Sequence, residues 1–223
     1  MHSVQLRAQL KLVDLNRRVV ERVSTGIPGL DRLTGGLPRG AVTEITGPAS
    51  SGRTSIALSI LAEGTTRGEA VALIDGHDAF TPHSAVRAGV DLKRLLWIRC
   101  NHLDAVLKAA DLILKGGGFG VVAVDIADLP LSNIRSVPPK TWFRFQRAIE
   151  NTPTILFITG QESVAQSAAS VVLRVEMHQP VWSGTPLPSH SVLLGGSEVN
   201  AEAVRYRQPR QRSEKYVRLS LHS

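Results

Sequence analysis

Along the chain, apolar residues fall into short continuous runs, separated by stretches in which they recur every three or four positions. Runs at Ala41–Thr46, Ala70–Asp75, Leu95–Arg99, Val121–Ile126, Thr154–Thr159 and Val171–Glu176 have the length and β-branched content of buried strands. Between them, Arg53–Ala62, residues 82–90, Leu103–Leu114 and Thr141–Ile149 carry helical spacing, and Trp142, Phe145 and Ile149 share one face as core residues. Strands that are apolar on both faces and alternate with helices predict an α/β fold, a mostly parallel twisted sheet with helices on both faces.

The two ends differ from this body. Leu6, Leu10, Val13 and Val20 predict an amphipathic helix over residues 4–22, stopped by Ser24-Thr25-Gly26-Ile27-Pro28-Gly29. Leu30–Gly40 reads as a short helix closed by glycines and a turn. Residues 178–197, rich in Pro, Ser and Gly with few charges, predict a loop. After it, Val204 and Tyr206 alternate with Arg205 and Arg207, and Val217, Leu219 and Leu221 alternate with Arg218, Ser220 and His222. This predicts an antiparallel hairpin with one apolar and one basic face. The expected division is an N-terminal helix (1–23), a core domain (24–177) and a C-terminal loop and basic β segment (178–223).

Composition adds charge to the picture. The 223 residues include 26 Lys+Arg against 19 Asp+Glu, a net +7. Residues 1–22 contribute +3, residues 202–223 contribute +4, and the stretch between is neutral. A protein that coats DNA with a uniformly basic surface is disfavoured, and electrostatic partners should meet the ends. The candidate contacts for a partner or for DNA are therefore Arg17 and Arg18 at one end, and Arg205, Arg207, Arg210, Arg212 and Lys215 at the other. Tyr206 and Tyr216 lie among the latter, as in segments that hold phosphates while aromatics stack on bases, although an acidic protein face or plain solvent would suit them equally. The single cysteine, Cys100, rules out an internal disulfide and suggests a buried thiol in a reducing, cytoplasmic setting. No apolar run approaches the roughly 18 residues of a membrane span, and His83, His102, His178 and His190 lack metal-ligand spacing.

The candidate chemistry sits after the first strand. Gly47-Pro48-Ala49-Ser50-Ser51-Gly52-Arg53-Thr54 fits Gly-x4-Gly-Lys-Ser/Thr except at Arg53. Glycines let backbone N–H groups curl around phosphate oxygens at a helix N-terminus, so Gly47 through Thr54, with Ser55, are nucleotide-binding candidates. Thr54 is a candidate Mg²⁺ ligand, as is Asp125 at the end of Val121-Val122-Ala123-Val124-Asp125. Arg53 keeps the positive charge of the lysine but carries it on a longer, planar fork. A simple glycine turn before a helix is the alternative.

The order of Ser24-Thr25-Gly26, Leu30-Asp31, Gly35-Gly36-Leu37-Pro38-Arg39-Gly40, Glu44–Thr54, Ile74–Pro82 and Gly89-Val90-Asp91-Leu92, with Gly196-Ser197-Glu198 near the end, resembles the RecA family over most of residues 24–210. The resemblance implies a RecA-like phosphate-loop core, with ATP and Mg²⁺ as ligands and Gln161 as the nucleotide-sensing glutamine. It also implies a glutamate two residues after Asp75 to activate water, and this chain has His77 there. With Arg53, that makes two departures in one hydrolytic site, and efficient ATP hydrolysis is not expected. Only a few residues separate Thr154–Thr159 from the next strand, which leaves no room for the family's second DNA loop. Such a body is similar to ImuA proteins. That resemblance implies an accessory protein of damage-induced mutagenesis and translesion synthesis. Its partners would be an ImuB-like Y-family polymerase homologue, an error-prone replicative-type DNA polymerase and RecA. A weak DNA-dependent ATPase and a DNA-binding module using the basic C-terminus stay open as alternatives.

Overall fold

The computed structural model describes residues 20–183, 193–206 and 215–222. Two short strands, β1 (Arg22–Val23) and β2 (Leu37–Pro38), form an antiparallel pair around helix α1 (Pro28–Thr34). The main sheet has eight strands: β3 (Val42–Thr46), β4 (Val71–Asp75), β5 (Leu95–Arg99), β6 (Val121–Asp125), β7 (Ile155–Gly160), β8 (Ala169–Ser183), β9 (Leu193–Tyr206) and β10 (Tyr216–His222). Their order is β10-β9-β8-β3-β7-β6-β4-β5. From β8 to β5 every neighbouring pair is parallel, and β9 and β10 extend the sheet antiparallel. The helices are α2 (Arg53–Thr66), α3 (Pro82–Arg87), α4 (Leu103–Gly116), α5 (Leu131–Arg135) and α6 (Pro139–Ile149).

The continuous apolar runs are explained by burial on both faces. In β7, Ile155 and Phe157 enter one core with α1 and α2, while Leu156 and Ile158 enter a second core with α4 and α6. Trp142, Phe145 and Ile149 are all buried in the second core, and the Trp142 and Phe145 rings meet edge to face at 5.9 Å. Cys100 is buried as expected, and burial, with Asp75 nearby, pushes its thiol pKa up. His102 acts as a helix cap, its Nδ1 accepting from the Ala105 N–H at the start of α4 (3.1 Å).

Two expectations at the ends change. The predicted helix over 4–22 falls mostly outside the described residues, and its last part is not helical, because Arg22–Val23 pairs with Leu37–Pro38. The Arg22 guanidinium donates to the carbonyls of Thr34, Gly35 and Gly36, closing α1, and lies over the Tyr206 ring. Of the loop predicted over 178–197, the described residues are strand, β8 running on through Ser183 and β9 starting at Leu193, while residues 184–192 lie outside the described residues. Ladder pairing between the two strands, from Val171↔Tyr206 out to Ser183↔Leu193, overrides the low strand propensity of Pro180, Gly195 and Gly196.

The antiparallel β9–β10 pair is present, with its apolar side (Val199, Ala201, Ala203, Leu219 and Leu221) buried. Its phase departs from the sequence pattern. A bulge opposite Val172/Leu173 turns Val204 outward, leaving it half-exposed, and lets Tyr206 turn inward to donate to the Thr34 carbonyl (2.6 Å).

At the amino edge of the sheet, Glu69 accepts from Arg39 and Arg67, and Arg39 also reaches Glu21 and the Pro153 carbonyl. Burial opposes ionisation of Glu69, but the two guanidinium groups outweigh it and hold the carboxyl below its ordinary range. The stabilisation is therefore fully present above about pH 4.3 and is lost as acid titrates the folded carboxyl below that value. Melting curves should show wild type ahead of Glu69→Gln near neutral pH, with the gap closing as pH falls further below about 4. A gap that stays constant across that range would disprove the coupling.

Candidate phosphate-binding site

The parallel strands bring four loops to one edge: residues 47–52 after β3, 76–81 after β4, 126–130 after β6 and 161–165 after β7. Ladder partners fix their level, with Thr46 opposite Gly160, and Asp125 between Asp75 and Thr159. Carboxyl ends of parallel strands are where α/β sheets bind ligands.

The loop 47–52 has the geometry its glycines predict. Ser50 (φ 60°) and Gly52 (φ 91°) adopt left-handed backbone, and Gly52 is followed directly by the first turn of α2. This conformation turns successive N–H groups toward one concave side. Pro48, Ala49 and Ser50 are exposed, as are Thr54 and Ser55 on the first helical turn. Gly47 and Ser51 are buried, and the Ser51 hydroxyl has no hydrogen-bond partner.

Arg53 behaves differently from an exposed lysine substitute. Its side chain is 8% exposed, Nη1 has no hydrogen-bond partner, and Nη2 stands 3.9 Å from Asp128 Oδ1, an ion pair longer than a hydrogen bond. The second oxygen of Asp128, Oδ2, is 3.0 Å from His77 Nε2. Arg53, Asp128 and His77 thus link three of the four loops through one carboxylate. Asp78, next to His77, is drawn the other way into a two-pronged pair with Arg99 (2.6 and 2.5 Å).

The remaining carboxylates shape the loops. Asp75, buried, accepts from the N–H groups of His77, Ala79 and Phe80 and from Trp97 Nε1, which sets the path on which His77 sits. Asp125 accepts from the Thr159 hydroxyl (2.7 Å) and the Ala127 N–H (3.1 Å). Gln161 is exposed and donates from Nε2 to the Ala127 carbonyl (2.9 Å), so the expected sensor glutamine touches the loop after β6. Thr46, Gly47, Pro48, Gln161, Arg174 and Val204 contribute to a cavity of about 230 Å³ beside the loop.

Residues 5–135, more than half of the chain, match the family model for the RecA N-terminal domain. The chain belongs to the RecA family. It is similar to Protein RecA of Chlorobium chlorochromatii (strain CaD3), with 41% identity over 108 residues, 48% of this chain and 31% of that relative. Protein RecA of Synechococcus sp. (strain CC9902) is 38% identical over 117 residues, 52% of this chain and 31% of the relative. The alignments thus take in less than a third of each relative. The RecA-family match contains the loop 47–54, His77, Asp125 and Asp128, whereas Gln161 and β8–β10 lie beyond it.

Sequence reasoning missed Asp128, which follows Asp125 by three residues and carries no motif of its own. It also missed Glu44, a buried carboxylate in β3 that organises the loop after β7. The candidate basic face is more mixed than expected. Arg205 and Lys215 are exposed, Arg205 donating to the Gln166 carbonyl, but Arg174 pairs with Glu202 (3.9 Å), and Glu176 and Glu198 are exposed or half-exposed nearby. Arg17, Arg18, Arg207, Arg210 and Arg212 lie outside the described residues. Among the described residues, no helix is long and apolar enough to cross a membrane.

Proposed function

We propose that this chain is a RecA-family accessory protein of the DNA damage response that holds a phosphate-bearing nucleotide without hydrolysing it efficiently and acts through protein contacts. The observation that carries this reading is the Asp128 bridge. At the position from which the family's glutamate would activate water stands His77, and its Nε2 is engaged by Asp128. The connection from β7 to β8, residues 161–168 with one turn of 3₁₀ helix, supports the same reading because it is too short for a long DNA loop. A bound nucleotide would bring its phosphates to the loop 47–54, with Thr54 and Asp125 as the protein's ligands for Mg²⁺, which takes few protein ligands and keeps several waters. Following the ImuA resemblance, the partners are an ImuB-like Y-family polymerase homologue, an error-prone replicative-type polymerase and RecA, in the cytoplasm and in damage-induced translesion synthesis.

Purified chain should show no DNA-stimulated ATP turnover above that of Thr54→Ala, while co-precipitating with an ImuB-like partner. Turnover that Thr54→Ala abolishes would overturn the reading. The structure also sharpens a gain-of-function test. Arg53→Lys with His77→Glu would set two carboxylates against each other, because Asp128 already faces position 77, and like charges at such range cannot both ionise easily. Measurable hydrolysis is therefore expected only when Asp128→Ala is added to that pair, and a steady-state phosphate-release assay on the double and triple variants checks it.

A further inference from the structure

Resting on the same reading of the site, we propose that Asp128 is a resident counter-anion that regulates the phosphate loop, giving up Arg53 when a phosphoryl anion binds there and transmitting the change to His77. The argument starts from the poor satisfaction of Arg53. A guanidinium 8% exposed has been taken out of water, yet its Nη1 has no partner and its nearest carboxylate oxygen is 3.9 Å away. Burying a cation is costly unless close, hydrogen-bonded partners compensate. Elsewhere in this chain such partners exist: Arg39, with a comparable 11% exposure, reaches Glu21, Glu69 and the Pro153 carbonyl. Arg53 is under-engaged by contrast.

The second observation lies inside the loop. The Ser51 hydroxyl, buried and without a hydrogen-bond partner, stands 2.7 Å from the point where a side-chain carbon on Gly47 would be placed. Around it are the left-handed turns at Ser50 and Gly52 and the N-terminus of α2, a helix of 14 residues. An unpaired hydroxyl at Ser51 and an under-engaged cation two residues later, on one loop, match an anion with several acceptor oxygens. A phosphoryl group supplies them.

Asp128 is built to yield. Its side chain is 57% exposed, so releasing Arg53 returns the carboxylate to water at little cost. Its other oxygen holds His77, whose Nδ1 is also buried without a partner, so movement of Asp128 must alter the imidazole's surroundings. Competition between a resident, displaceable carboxylate and an incoming anion for one cation makes Asp128 a positioning residue that sets affinity.

The test uses full-length protein titrated with pyrophosphate and, separately, with ADP, by calorimetry. Asp128→Asn removes the competing charge from an exposed side chain and should tighten binding by roughly fivefold or more. Arg53→Ala should abolish binding in both backgrounds. A merely structural Asp128 would not produce a second signal, a shift of the His77 imidazole ¹⁵N resonances on adding ligand to wild type. That shift should be lost in Asp128→Asn, with the resonances assigned through His77→Gln. Tightening with both ligands supports the proposal for the free anion, and tightening with ADP alone supports it for nucleotides. Equal or weaker binding by a folded Asp128→Asn, or an unmoved His77 signal in saturated wild type, would overturn it. Phosphate release from ATP, measured on the same protein variants, separately decides the non-hydrolytic reading, so the two can fail independently.

Discussion

Replacing Glu44 with alanine should lower stability by about 3–5 kcal/mol, a large effect for one side chain. Glu44 is 1% exposed in the middle of β3 and shares a face with Val42. Its carboxylate accepts from the Ser163 hydroxyl (2.5 Å) and from the N–H groups of Val164 and Ala165 (both 2.7 Å). Removing the acceptor strands these donors, and each buried unsatisfied donor costs about 1–3 kcal/mol, with part of the sum returned where water reaches Ser163. Glu44→Gln keeps the shape and one oxygen but presents an NH₂ to donors, and should cost roughly half as much. Denaturant melts report the total, and amide exchange at residues 164 and 165 locates it. An alanine variant within about 1 kcal/mol of wild type would show that the loop is anchored by something else. The consequence reaches the site, because residues 161–165 carry Gln161.

Glu44 also marks where the sequence stops being legible. A carboxylate within a buried run, in Val42-Thr43-Glu44-Ile45-Thr46, carries no sign in the sequence of what satisfies it. Its partners lie about 120 residues later, and no local pattern announces them. The parallel strands themselves were readable because burial on both faces leaves a dense apolar run, and the expected and observed limits of β3 to β7 differ by a residue or so. The far halves of β8 and β9 were not, although the pairing of β9 with β10 was. At Gln179–Ser183 and Leu193–Ser197 the Pro, Gly and Ser content resembles a loop, while ladder pairing between the two strands makes these stretches strand. Likewise the phosphate loop was legible as Gly-x4-Gly before a helix, and Arg53 and His77 were visible as departures. That Asp128 joins them was not, because three loops meet only through the order β3-β7-β6-β4.

Gly47→Ala should cost about 3 kcal/mol or more and lower the melting temperature by roughly 6–12 °C, while weakening anion binding. The reason is space rather than backbone freedom. A methyl group on Gly47 would stand 2.1 Å from the Val175 carbonyl oxygen and 2.7 Å from Ser51 Oγ. Ser51 can rotate, but Val175 cannot easily retreat, since β8 is held on one side by β3 and on the other by pairing of Val175 with Ala201 of β9. Nor can Gly47 move toward β7, because its N–H already donates to the Gly160 carbonyl (3.2 Å). The added carbon must therefore push β8 away from the loop or break the Gly47–Gly160 hydrogen bond, and either change opens the seam that shapes residues 47–52. Gly116→Ala is the matched control. It closes α4 with nothing within 4 Å of the added carbon, and should be neutral or stabilising by up to about 1 kcal/mol. If both variants melt with wild type, the first glycine of the loop is there for phosphate alone. If only Gly47→Ala falls, that glycine serves the seam with β8 as well, which gives the fold a reason to retain it whether or not the site hydrolyses nucleotide.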